Sequence, residues 1–171
     1  EIEREIFRLS DKYESILNLI RTVPGFDKNP LTAIQVLSEI GGDMSVFPTA
    51  KNLVSWAGCC PRNDQSNHKI KSTRISRAGS YFKPVLVQVA NALIKSKKHS
   101  EFTNRYKRIK ARRGHKKAII AICRMILTAI WHILSDLKPY TPEGFLESRP
   151  VKEEKVLSTS QALNLLKQRG Y

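Results

Sequence analysis

Apolar residues recur every three to four positions at the start of the chain: Ile2, Ile6, Leu9, Tyr13, Ile16, Leu17 and Ile20. That spacing predicts one helix with an apolar stripe on a charged surface. The stripe fits the end of a coiled coil and a core-facing helix equally well. Pro24-Gly25 stops it. A second helix is predicted from Leu31 to Ile40, closed by Gly41-Gly42, and a third from Thr49 to Trp56, before Gly58. Residues Pro61 to Thr73 are polar and lack helical period, so they read as a loop. Helix resumes near Gly79 and runs through VLVQVANALIKSKK. A basic helix follows from Glu101 to Arg113, ending at Gly114. The segment from Lys117 to Leu137 is the most apolar. Arg124, Thr128 and His132 interrupt it, and it reads as too short for a membrane span of ~20 apolar residues. It is expected to be a buried central helix.

The tail from Tyr140 to Glu154 is rich in Pro and charge, and Ser158 with Gln161 fits a capping box for a last helix, QALNLLKQRG. No internal repeat and no convincing strand-period segment is found. The fold expected is therefore all-α: one compact helical domain with a helix-hairpin-helix-like element and an extended N-terminal helix. Residues 1–21 are assigned to the end of an inter-domain coiled coil, 22–138 to the main domain, and 139–171 to a tail with a short helix.

Length and charge add to this picture. A chain of 171 residues suffices for one domain with a core. It begins at Glu1 in mid-helix pattern, as expected of a piece of a longer protein, and no signal peptide is recognised. The net charge is +15, and two segments hold all of the excess. From Arg62 to Lys83 there are six Lys/Arg against Asp64; from Lys95 to Lys117 there are eleven against Glu101. The rest of the chain is balanced. Charge concentrated in this way calls for a polyanion. Cys59, Cys60 and Cys123 form no C-x-x-C pair, which argues against zinc and fits reduced thiols in the cytoplasm. No membrane partner is expected.

Two motifs suggest chemistry. LIRTVPGFDKNPLTAIQVLSEIG resembles a helix-hairpin-helix, whose turn glycine and following helix N-terminus can meet a phosphate. Gly25 and Lys28 are its candidate contacts, and Asp27-Lys28-Asn29 stands where the usual turn has a second glycine. An ordinary turn between core helices gives the same pattern. The second motif, PRNDQSNHKIKSTRISRAGSYFKP, places Ser66 ahead of Lys69, Lys71, Arg74 and Arg77. A serine nucleophile needs activation by a base or metal, and cations can neutralise a phosphodiester in its transition state. The serines of this stretch could equally bind phosphate or cap turns. Asp64 and His68 flank Ser66, and either is a candidate base. Between Met44 and Ser135 the only carboxylates are Asp64 and Glu101, too few for a two-metal site.

The blocks PGF…LTAIQVLSEIG, FPTAKNLVSWAG, RNDQSNHKIKSTRISRAGSYFKPVLVQVANA and RRGHKKAIIAICRMILTAIWHIL, in that order, resemble the C-terminal domain of a transposase family. Its members include Piv-type DNA invertases and bridge-RNA-guided recombinases, and the resemblance spans Leu19 to Leu137. It implies that Ser66 is the nucleophile, that Lys69 is the lysine after it, and that Arg74, Ile75, Ser76, Arg77 and Gly79 form the exit motif. It also implies an N-terminal RuvC-like domain, absent from this chain, whose acids would hold Mg²⁺; no cofactor is assigned to the chain itself. The implied partners are DNA, a guide RNA in the RNA-guided members, and further copies of the protein. Asn67-His68 departs from the small residues of the family's loop; Asn readily adopts left-handed geometry, and His does not share that ease.

The expected nucleic-acid contacts are Gly25, Lys28, Arg62, Lys69, Lys71, Arg74, Arg77, Lys83, Arg105, Lys107, Arg108, Arg112, Arg113, Lys116 and Lys117. The competing functional readings are a non-catalytic helix-hairpin-helix module for DNA or RNA and a basic structural protein of a ribonucleoprotein.

Overall fold

The computed structural model describes residues 1–61, 64–66, 69–72, 74–142 and 168, and within 62–73 the strand backbone alone. The chain divides into two compact units, Glu1–Tyr140 and Thr141–Tyr171. The expected final helix at QALNLLKQRG and most of the tail lie outside the described residues.

The first unit is an all-α domain with one small β-hairpin. The expected first helix is two: α1 (Ile2–Ser10) and α2 (Glu14–Thr22), separated by a 3₁₀ turn at Asp11–Tyr13. The polar Ser10-Asp11 pair sits at the break, and the Ser10 hydroxyl donates back to the Phe7 carbonyl at 2.8 Å. Such side-chain competition for the backbone tightens or bends a helix. No residue of α1 is buried, whereas Leu17 and Ile20 of α2 enter the core.

α3 (Pro30–Ile40) starts where the sequence places its signals. The Asn29 side chain accepts from the Leu31 N–H at 3.0 Å, and Pro30 takes the first helical position, where no N–H is needed. α4 (Ala50–Trp56) is capped by Thr49, whose hydroxyl accepts from the Asn52 N–H at 3.4 Å. Helix α5 (Phe82–Leu93) begins later and ends earlier than expected; at its expected start Gly79 is packed against the Ala57 carbonyl just after α4. α6 (Ser100–Arg113) stops at Gly114, and α7 (His115–Asp136) follows directly.

α7 is the central helix. It packs on α2, α4, α5 and α6. Ten of its residues are buried, among them Ile122, Ile126, Leu127 and Ile130 at 0% exposure. Each such side chain contributes about 1.5–3 kcal/mol by leaving water, and truncating one to Ala costs about 2–5 kcal/mol. The helix is longer than expected. Its 22 residues would suffice, by length and composition, to cross a membrane, yet 61% of its apolar window is packed inside the domain. The Trp131 indole N–H donates to the Phe47 carbonyl at 2.8 Å, fixing the segment before α4 to α7.

The stretch Pro61 to Thr73, expected to be a loop, contains two antiparallel strands, β1 (Asp64–Ser66) and β2 (Lys69–Ser72). Ser66 pairs with Lys69, and an isolated bridge joins Pro61 to Ile75. Strands this short, with a single apolar residue, Ile70, give no alternating pattern to read.

Candidate nucleic-acid interface and serine hairpin

The hairpin rises from a corner where α4 ends and α5 begins. On the chain between α4 and the hairpin, Ala57 and Cys59 are fully buried. Two glycines make the corner possible. Gly58 has φ +67°, and a Cβ there would lie 2.5 Å from the Ala78 carbonyl oxygen; Gly79 has φ +66°, and a Cβ there would lie 2.6 Å from the Ala57 carbonyl oxygen. Any side chain at either position would force the two chain segments apart. The Lys83 N–H donates to the Gly79 carbonyl and its ammonium Nζ to the Ser76 carbonyl, both at 2.8 Å. The Ser76 hydroxyl accepts from the Ala78 N–H at 3.1 Å.

Arg74 and Arg77 are exposed on the hairpin's exit segment. The side chains of Arg62, Ser66, Lys69 and Lys71 lie outside the described residues. On α6, Lys107, Arg108, Arg112 and Arg113 are exposed and Arg105 is half-buried; Lys116 and Lys117 are exposed at the start of α7. These helices meet at Gly114, φ +81°. The Tyr106 hydroxyl lies 2.7 Å from His115 Nδ1 across this junction, and the Lys110 ammonium sits 5.7 Å from the Tyr106 ring centroid. This hydrogen-bonding contact ties α6 to α7 at the corner that carries these cations.

Gly25 and Lys28 belong to the turn between α2 and α3. Lys28 is exposed. Gly25 has φ +93°, and its bare Cα faces α5: a Cβ would lie 2.7 Å from Val89 Cγ1 and 3.2 Å from Leu93 Cγ. The glycine thus has a packing reason of its own, independent of any phosphate.

Burial pushes the Cys59 thiol up to about 11 and the Cys123 thiol to about 12, with the Lys83 charge offsetting part of the rise in each. Both are protonated at neutral pH and unsuited to nucleophilic work. Among the described residues no group of three or more His, Cys, Asp or Glu could hold a metal ion.

Gly58, Ser76 and Gly79 were legible only as punctuation or exit motif. Their role in joining the two ends of the hairpin to the helices arises from contacts between residues some twenty positions apart. The Tyr106–His115 pair left no sequence signal.

A sequence profile of the transposase IS116/IS110/IS902 family matches residues 17–107, from α2 through the hairpin into α6. The chain belongs to this family. It is 30% identical over 125 residues to the pilin gene-inverting proteins of Moraxella lacunata and Moraxella bovis. Those alignments cover 72% of this chain and 38% of each relative, so the chain spans well under half the length of the curated relatives it matches. No solved structure matches it. The family match includes the whole serine hairpin and the corner that supports it; it stops short of the basic start of α7.

Proposed function

We propose that this chain is the C-terminal domain of a DNA recombinase, binding nucleic acid through its two basic segments and supplying Ser66 as the nucleophile for strand transfer. The observation that supports it best is the family match across a hairpin bearing Ser66, mounted on a buried corner and followed by the exposed Arg74 and Arg77. In the proposed step the Ser66 hydroxyl oxygen attacks a DNA phosphorus. A Ser–O–P ester forms, the P–O bond to the leaving strand breaks, and the proton released by serine ends on the leaving oxygen by way of a base. A strand hydroxyl then attacks the ester and restores the serine. Bond count is conserved, so no energy-rich cofactor is needed.

Arg74 and Arg77, with Lys69 and Lys71, would neutralise charge on the phosphate. The general base and the Mg²⁺-holding acids are assigned to an N-terminal RuvC-like domain, in the same polypeptide or another copy within an oligomer. When bound, Mg²⁺ would supply Lewis-acid stabilisation of the phosphoryl oxygens. Binding through α6 and the start of α7 positions the nucleic acid without reading bases. A guide RNA is a further ligand compatible with the same cations.

The test is a search for a Ser66–DNA adduct in the full-length protein, together with Ser66→Ala. The substitution removes a hydroxyl and no charge, so strand transfer should be abolished with nucleic-acid affinity nearly unchanged. Normal recombination by Ser66→Ala would discard the nucleophile and leave the non-catalytic binding module.

A further inference from the structure

Lys83 lies in the first turn of α5, in the more weakly charged of the two basic segments. Its charge alone makes it a phosphate contact. Its surroundings say otherwise. The side chain is half-buried, and Nζ donates to the Ser76 carbonyl at 2.8 Å. The ammonium lies over Gly58, only 2.8 Å from where a Cβ would stand, and the Ser76 hydroxyl is 2.9 Å from the same point. Ser76 belongs to the hairpin's exit segment, one residue beyond the Ile75–Pro61 bridge that closes the hairpin's base. The ammonium therefore joins three parts of the chain: the first turn of α5, the glycine after α4, and the hairpin's exit.

We propose that Lys83 is a positioning residue for the serine hairpin: its ammonium latches the exit segment, at the Ser76 carbonyl, onto the α4–α5 corner over Gly58 and so fixes where Ser66 lies. The proposal rests on the reading of Ser66 as the nucleophile. A two-stranded hairpin is marginal by itself and takes its orientation from its base. An exposed surface lysine would not serve, because its flexible stem costs entropy to hold; here the half-buried corner already confines it. Gly58 is part of the device, since a Cβ there would stand 2.8 Å from the ammonium and 2.5 Å from the Ala78 carbonyl oxygen.

The test compares Lys83→Met and Lys83→Arg in the full-length recombinase, with folding checked by thermal melting. Strand transfer is measured at saturating DNA, and DNA affinity as a function of salt. The latch predicts that Lys83→Met slows saturated transfer by about 10–100-fold, the scale of a misplaced reacting group, with affinity and salt slope unchanged. Lys83→Arg should also be slow, because the broader guanidinium does not fit over Gly58. A phosphate contact predicts the reverse: Lys83→Met loses about one unit of salt slope while transferring normally at saturation, and Lys83→Arg behaves as wild type. Either of those results overturns the latch. If Lys83→Met does not fold, Lys83→Arg decides, since it keeps the charge. Ser66→Ala run alongside reports separately on the nucleophile: normal transfer by Ser66→Ala overturns the proposed role of Lys83 in positioning Ser66, whereas inactive Ser66→Ala with normal transfer by both Lys83 variants overturns the latch alone.

Discussion

Gly25→Ala separates the two roles open to the turn between α2 and α3. The substitution has two costs. The backbone sits at φ +93°, where an L side chain is strained by about 1–2 kcal/mol. The new methyl would also stand 2.7 Å from Val89 Cγ1 and 3.2 Å from Leu93 Cγ, both side chains buried on α5. Overpacking of this kind costs about 1–3 kcal/mol. The turn cannot yield easily, because Val23 and Phe26 on either side are fully buried. Together these give a loss of about 2–5 kcal/mol, and at about 2–4 °C per kcal/mol for a chain this size the melting temperature should fall by roughly 4–20 °C. Circular dichroism melting of the chain measures this, and DNA binding well below the transition should be unchanged. Gly25→Ala melting like wild type while binding DNA more weakly would refute the packing argument and return the glycine to phosphate binding.

Three further outcomes are expected. DNA binding by the chain should weaken about 10³–10⁵-fold between 50 and 200 mM salt if ~6–10 of its exposed cations meet phosphates; fluorescence anisotropy checks this, and a flat salt response would remove the electrostatic interface. Cys59 and Cys123 have folded-state values raised to about 11 and 12, above an unfolded thiol's ~8.5. The stability this reflects is complete below that unfolded value and is lost as pH climbs toward 11 and beyond. Denaturant midpoints should therefore drop between pH 8 and pH 11, and alkylation of the folded chain at pH 8 should be confined to Cys60; rapid labelling of Cys59 would show that its burial is misjudged. The chain with Mg²⁺ should leave supercoiled DNA intact, and activity should appear when the RuvC-like domain is joined to it; nicking by the chain alone, lost in Ser66→Ala, would show that the catalytic groups are self-contained.

Much of the helical framework is written in local sequence. Asn29-Pro30, Thr49, Gly41 and Gly114 mark helix ends because caps and left-handed glycines act on their own neighbours. The apolar run of α7 identifies the core helix for the same reason: its residues are too apolar to face water. The second charge segment is nearly as direct, since most of its cations on α6 and at the start of α7 are exposed. The family resemblance, too, was legible in ordered blocks of residues.

Other features are concealed in the local pattern or decided by contacts between distant parts of the chain. The break between α1 and α2 is a small local preference that the apolar stripe conceals. The hairpin has almost no apolar alternation, so nothing in its own residues announces a strand; its ends are held by the Pro61–Ile75 bridge and the Gly58–Gly79 corner. Lys83 and Gly25 show the limit most clearly. In the sequence one is a positive charge and the other a turn glycine, and both invite a phosphate. In the folded chain the ammonium meets a carbonyl across a bare glycine, and the turn's Cα meets two side chains of α5. Charge and conformational freedom belong to a residue; what those properties are used for depends on which neighbours the tertiary fold brings within reach.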